Sequence, residues 1–367
     1  MDLSETPNKS RVSAVIVNWN GKRHLDECLG SLARQSYPDL EIIMVDNASS
    51  DGSVEFVREN FPQVTVIENE TNTGFSGGNN IGIARSTGKY LFLLNNDTVV
   101  DEGCISELVR VIEEKGESCI GVFPKVNFHD EPMFINSYGA VWNWKYYWRD
   151  NRMGLLDLGQ YREPQEVFGS IFPALLVKRD AFLNIGMFDE YFFSYGEDFD
   201  ICYRANLMGY KFFLSPGARV LHKFRASSGE KNDPMWSHYY FLRNYIIVFL
   251  KNYQLFNLLT HLPKIIWRYL ISQVIIAVKY KNKGGVKLVF KVARDIFLEL
   301  PDILQKRKWI QARRRKPDKE IWDYSSVEDC NIFYYNNAIV LNVLNLKTSI
   351  EGSQKYKVNN TIFTTMG

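Results

Sequence analysis

The 367 residues carry 44 Lys and Arg against 42 Asp and Glu, a formal charge of +2, with 46% hydrophobic and 23% charged side chains. These proportions exclude a disordered or collagen-like chain and leave room for about two to three units around a real core. Five cysteines, odd in number and without a C-x-x-C pair, argue against a disulfide framework or structural zinc site and favour a reducing compartment.

The small net charge hides a partition. Residues 234–316 hold 17 basic and 3 acidic side chains, residues 1–233 hold 23 and 33, and residues 317–367 hold 4 and 6. Such asymmetry predicts an anionic surface as the partner of one part of the chain only. Residues 1–10 are polar and lack an apolar core of signal-peptide length. The most apolar stretch, 262–280, is broken by Lys264 and Arg268, so no transmembrane helix is expected.

The first hundred residues alternate two periodicities. Residues 12–17 form a β-branched run, and 24–36 place Leu25, Cys28, Leu29 and Leu32 at helical spacing. Strands at 41–45, 64–67 and 90–94 then alternate with helices at 53–60 and 78–86, which predicts a mostly parallel sheet covered on both faces. Ligands of such sheets bind at the carboxyl ends of the strands. Four polar clusters follow the strands there: Asn18 to Gly21, Asp46 to Ser53, Asn72 to Asn80, and Asn95 to Asp97. Any one could be ordinary turn chemistry. Four on one edge, one of them with three glycines that let backbone amides approach a ligand, point to a nucleotide or phosphate site.

Residues 121–165 are aromatic-rich and weakly periodic, and Trp142, Trp144, Tyr146, Tyr147 and Trp148 could line an acceptor groove or pack as a loop on the sheet. The pattern recovers with a strand at 174–177, a helix at 179–185, a helix entered through Gly196, Glu197, Asp198 and Asp200, and short strands at 211–214 and 219–221 closed by His222. Acidic residues in a first turn favour the helix dipole without further role. Positions 197 and 198 face different sides, so one is free to meet a substrate as general base while another pairs with Arg204. Asp97, the lone carboxylate of its cluster, suits Mg2+ or Mn2+ completed by substrate phosphates.

Taken in order, 12–20, Asp46 with its continuation, 72–80, 95–97, 196–204 and His222 resemble an inverting family 2 glycosyltransferase of GT-A fold, rhamnosyltransferase-like, over about residues 10–225. The resemblance implies an enzyme of metal-dependent sugar transfer from a UDP- or dTDP-sugar, rhamnose-like included, to a glycan or lipid-linked hydroxyl in polysaccharide assembly. It implies that Val17, Asn18 and Asp46 hold the nucleoside, and that Gly77, Gly78, Asn79 and Asn96 line the donor pocket. By the same resemblance Asp97 and His222 bind the divalent metal, Asp198 is the base and Glu197 supports it. Asn95 stands where the family's signature has its first aspartate, which puts more of the metal's affinity on His222 and the donor diphosphate. The alternative reading is a catalytically silent relative serving as a binding subunit of a glycan-assembly complex.

Residues 236–300 mix aromatic and aliphatic runs, 239–242, 245–250 and 265–267, with Lys279, Lys281, Lys283, Lys287 and Lys291. Amphipathic helices of this composition lie in a bilayer interface. The expected division is a tail at 1–10, a GT-A catalytic domain at 11–233 with halves 11–100 and 101–233, a basic membrane-associating helical region at 234–316, and a tail at 317–367 without assigned role. The expected location is the cytoplasmic face of the cell membrane, held by anionic lipid. A homo-oligomeric contact is the other use of that surface, and nucleic acid is not expected.

Overall fold

The computed structural model describes residues 10–143, 147–223 and 234–322, with four short strands between 333 and 364; side chains are described outside 141–150 and up to 322. The aromatic residues 142–148, expected either to line an acceptor groove or to pack as a loop on the sheet, lie outside the described side chains.

The chain begins with strand β1 (Val12–Asn18), helix α1 (Lys22–Ala33), β2 (Leu40–Asp46), α2 (Ser53–Asn60), β3 (Thr65–Glu68), α3 (Gly74–Arg85) and β4 (Tyr90–Asn95). It continues through β5 (Thr98–Val100), α4 (Cys104–Glu114), β6 (Cys119–Phe128), β7 (Ile135–Ser137), β8 (Ala140–Asn143), β9 (Tyr147–Asp150), β10 (Gln165–Val167) and β11 (Ala174–Lys178). Then come α5 (Arg179–Asn184), α6 (Glu197–Leu207), β12 (Lys211–His222), and the helices α7 (Pro234–Asn252), α8 (Leu255–Ile266), α9 (Ser272–Lys279), α10 (Lys283–Leu298), α11 (Leu300–Arg313) and α12 (Asp318–Trp322).

The main sheet runs β10-β12-β6-β11-β4-β1-β2-β3, with β5 on β12 and β7 on β6. Its first half is the parallel sheet expected, with β1 paired to β2 and β4, and β2 to β3, all parallel. The second half is mixed, because β11 runs antiparallel to both β4 and β6. The two short strands expected after residue 211 are one, β12, whose register against β6 shifts between Ser215 and Arg219. β5, α4 and β6 were not expected, since β6 is buried along nearly its whole length and shows no alternation to read.

Helix α3 starts at Gly74, four residues before its expected start, because a left-handed glycine (φ 74°) admits the turn. Its glycines let it lie close on the sheet: a Cβ on Gly82 would sit 2.4 Å from Val15 Cγ1, and one on Gly78 would sit 2.7 Å from Val17 Cγ1.

The helices after Pro234 share one hydrophobic cluster with the sheet's second half: Tyr245 and Phe249 of α7, and Tyr253 just past its end, lie with Phe199 and Tyr203 of α6. This corrects the interfacial reading of residues 239–250. Tyr239, Leu242 and 245–249 are buried, because α7 packs its apolar residues among α6, α10 and α11, with Tyr239 donating to Asp295 of α10. Among the described residues no helix is long and apolar enough to cross a membrane.

Substituting Gly82→Val should cost about 1–3 kcal/mol through overpacking against Val15 and Val45. Urea unfolding with an unchanged slope would measure it, and wild-type stability would show that α3 does not need this approach.

Candidate functional site

The strand ends are tied together by side chains. Asn18 donates through Nδ2 to Asp46 Oδ1 at 2.9 Å and to Ser49 Oγ at 3.2 Å, while its Oδ1 accepts from Asn96 Nδ2 at 2.8 Å. One amide thus joins the ends of β1, β2 and β4, and Asn18 and Asp46 are in register. Asp46 Oδ2 accepts from the Ser49 amide at 2.8 Å, and Gly21 makes room for Asn96, whose Nδ2 would be 2.2 Å from a Cβ there. Asn47 accepts from Asn69 and Thr73 and donates to Gly74 O at 2.9 Å, so the second cluster also holds the start of α3.

The glycine-rich cluster is used differently from the expectation of open amides. The Phe75 and Ser76 amides donate to Phe193 O at 2.7 and 3.3 Å, and the Gly74 amide donates to Asn72 Oδ1. Gly77 faces Thr73, Gly78 faces Val17, and Asn79 donates to Phe75 O within the helix. These residues lie in the helix behind the edge and work by close packing.

Asp97 and His222, 125 positions apart, are brought together because β5 pairs antiparallel with β12, placing Thr98 opposite His222. Asp97 is fully buried. His222 Nδ1 lies 2.8 Å from Asn136 Oδ1, and its Nε2 faces Asp97 Oδ1 at 3.4 Å. A carboxylate oxygen opposite an imidazole nitrogen whose far side is fixed by an amide oxygen is a donor set that fits a divalent cation. Among the described residues no group of three or more His, Cys, Asp or Glu side chains forms a cage. Asn136 had no signal in the sequence, because it lies in the weakly periodic stretch.

Helix α6 is entered through Phe193 (φ 61°), Tyr195 (φ 67°) and Gly196 (φ 86°), all left-handed. Glu197 Oε2 is buried with no hydrogen-bond partner among the described residues, and Asp198 Oδ1 accepts from the Phe199 amide at 2.7 Å. Burial pushes both carboxyls above their ordinary values of 4.5 and 3.8, and the Asp198 charge adds to the rise at Glu197. Asp200 faces the other way: it accepts from Arg204 Nε at 2.8 Å, as the helical spacing suggested, and from Asn252 Nδ2 at 3.0 Å and Lys251 Nζ at 3.1 Å.

Sequence reasoning missed the contribution of α7 to this loop. Asn244, fully buried, donates to Phe192 O at 2.9 Å, Ser194 O at 3.0 Å and Tyr195 O at 2.6 Å. Arg243 donates to Asn244 Oδ1 at 2.9 Å and to the Tyr191 carbonyl. Lys251 and Lys306 pair with Asp189 at 2.6 and 2.7 Å and, against the effect of burial, hold its carboxyl well below the usual range. The available signal was a polar pair, Arg243-Asn244, inside an apolar helical run.

A parallel half joined to a mixed half, with polar loops at one edge, is the GT-A architecture. The crystal structure of GalNAc-T7 with UDP, GalNAc and Mn2+ superposes with a TM-score of 0.54 at 22% identity, over 66% of this chain and 48% of that one. Residues 13–186 match the family model for glycosyl transferase family 2. Similar curated proteins include the glycosyltransferase GlyG of Streptococcus pneumoniae, 32% identical over 107 residues, 28% of this chain and 36% of GlyG. Another is the N-acetylglucosaminyl-diphospho-decaprenol L-rhamnosyltransferase of Mycobacterium tuberculosis, 26% identical over 254 residues, 60% of this chain and 78% of the relative. The chain thus spans about a third of the length of GlyG.

Carboxyls whose titration is raised by the fold contribute stability below their ordinary values and lose it as pH climbs through the raised ones. Urea unfolding should therefore show stability falling from pH 6 to pH 9 more steeply in the wild type than in Glu197→Gln. Equal slopes would mean that the pair titrates as it does in the unfolded chain.

Proposed function

We propose that the chain is a glycosyltransferase that moves a sugar from a nucleoside diphosphate sugar to a hydroxyl of a glycan or lipid-linked acceptor, with inversion, in polysaccharide assembly. The observation that carries this reading is the meeting of Asp97 with His222 at the edge where Asn18, Asp46 and Asn96 are cross-linked. Val17, Asn18, Asp46 and Asn96 would hold the nucleoside, backed by the helix of Gly77, Gly78 and Asn79. Asp97 and His222 would hold Mg2+ or Mn2+, whose charge supplies Lewis-acid stabilisation of the departing diphosphate. The Mn2+ and UDP of the GalNAc-T7 structure support a nucleotide diphosphate with a metal, and the rhamnosyltransferase relative supports a rhamnose-like donor and a lipid-linked acceptor.

In this reading Asp198 takes the proton of the acceptor hydroxyl, the oxygen attacks the anomeric carbon, and the bond to the diphosphate breaks in the same displacement. A carboxyl raised by burial is a stronger base than a solvated one, and that is the use of placing it in a desolvated first turn. Glu197, beside it, supports the base or contacts the acceptor. A thermal-shift panel of UDP- and dTDP-sugars with Mn2+ or Mg2+ tests donor binding. Asp198→Asn should lower transfer by about a thousandfold or more while donor affinity stays within about threefold. Full activity in that variant would remove Asp198 as the base.

The same reading places the helices after α7 on an anionic bilayer, which for a user of nucleotide sugars is the cytoplasmic leaflet. Phe256 is 76% exposed and Trp267 56%, with Leu255, Leu259, Ile275 and Ile276 also exposed, and Lys264, Arg268, Lys279 and Lys281 lie among them in solvent. Apolar side chains interleaved with cations suit a headgroup boundary, with each cation adding about 1 kcal/mol near anionic lipid. Flotation with anionic vesicles should show binding at low salt that weakens at high salt and is lost in Phe256→Ser/Trp267→Ser. A self-associating chain that ignores vesicles would assign the face to a second copy instead.

A further inference from the structure

We infer that Asn244 of α7 is a positioning residue for the carboxylate pair of α6, so that the helices after Pro234 complete the catalytic site. The inference rests on the sugar-transfer reading. Left-handed backbone at non-glycine residues persists only where the surroundings over-determine it, and the loop into α6 has two such residues, Phe193 and Tyr195, followed by Gly196. The groups that impose this shape lie 50 positions further on, in α7. The two amide hydrogens of Asn244 are shared among three carbonyls, those of Phe192, Ser194 and Tyr195. Arg243 donates to its Oδ1, which fixes the amide with its nitrogen toward the loop. Gly196 lies against the same residue: a Cβ there would be 3.3 Å from Asn244 Cβ.

The clamped loop has two ends that matter. Its carboxyl end is the first turn of α6, with Glu197 and Asp198. Its middle, Phe193 O, accepts the amides that begin α3, whose Gly74 carbonyl accepts from Asn47 beside Asp46. Asn244 therefore fixes the distance between the proposed base and the edge proposed to hold the donor. Misplacing a reacting group by about 1 Å costs on the order of a hundredfold in rate, whereas ground-state donor contacts made by other loops are spared.

Two variants test this. Asn244→Asp keeps the shape but turns donors into acceptors facing three carbonyls, and Asn244→Ser keeps one donor and is the milder change should the first not fold. Hydrogen exchange at the amides of Ser194 to Glu197 and of Phe75 and Ser76 should quicken at least about tenfold in Asn244→Asp and less in Asn244→Ser, with α10 and α11 unchanged. With a nucleotide sugar that the wild type turns over, kcat should fall about a hundredfold while donor KM moves less than about threefold. Wild-type exchange in both variants would overturn the clamp. Quickened exchange with unaltered kcat, or a loss confined to donor KM, would overturn the positioning role while leaving sugar transfer intact. A wild type silent with every UDP- and dTDP-sugar, in turn, would overturn the underlying reading and the positioning role with it.

Discussion

Much of this structure follows from the burial of one carboxylate. Asp200 stands in the first turn of α6 with no exposure to solvent, and a charge removed from water in that way has to be met by opposite charge and hydrogen bonds. Arg204 meets it from within the helix, and Lys251 and Asn252 meet it from the end of α7. Removing either lysine or arginine would strand the carboxylate, so α6 and α7 are held as a pair. Lys251 extends the arrangement to Asp189, and Asp189 to Lys306 of α11. The loop between Asp189 and Asp200, which carries the strained residues and the acidic pair, is thereby anchored at both ends by the same lysine.

This changes the meaning of the basic block. Arg243 and Lys251 are buried, Lys306 pairs with Asp189 and Asp302, and Arg314 pairs with the buried Asp318. Part of the positive excess after residue 234 therefore neutralises the negative excess before it. The exposed cations of α8 to α10 are a separate set, and they coincide with the exposed aromatic and aliphatic residues. One count of charge thus covers two sets of cations, an internal one that stabilises the fold and an external one that faces solvent.

The first half of the domain was legible because β1, β2 and β4 are largely buried, α1 and α2 carry apolar stripes and its loops hold the polar residues that turns and ligands share. Helix α2 falls at 53–60, as its periodicity indicates. The second half was harder to read. The alternation signal fails for β6, the two segments of β12 read as separate strands, and Gly74 hides the first turn of α3 because glycine is a poor helix residue by propensity. Of the site, Asn18, Asp46, Asn96, Asp97 and His222 were visible as residue types at strand ends. Asn136 and Asn244 were not, because a buried amide that orients another group has no periodicity of its own, and its value lies entirely in contacts made far along the chain.

The pairing of β5 with β12 has a consequence for how the molecule is made. Residues 10–100 can form their parallel strands from local crossovers, but Thr98 finds its partner at His222 only after more than a hundred further residues have emerged. Contacts of such sequence separation form late, because loop closure costs entropy before the contact returns anything. A chain leaving the ribosome would carry the side-chain links among Asn18, Asp46 and Asn96 long before it held an Asp97–His222 pair, and longer still before α7 reached the loop that leads into α6. The order of synthesis thus leaves the Asp97–His222 meeting and the entry to α6 to be assembled last.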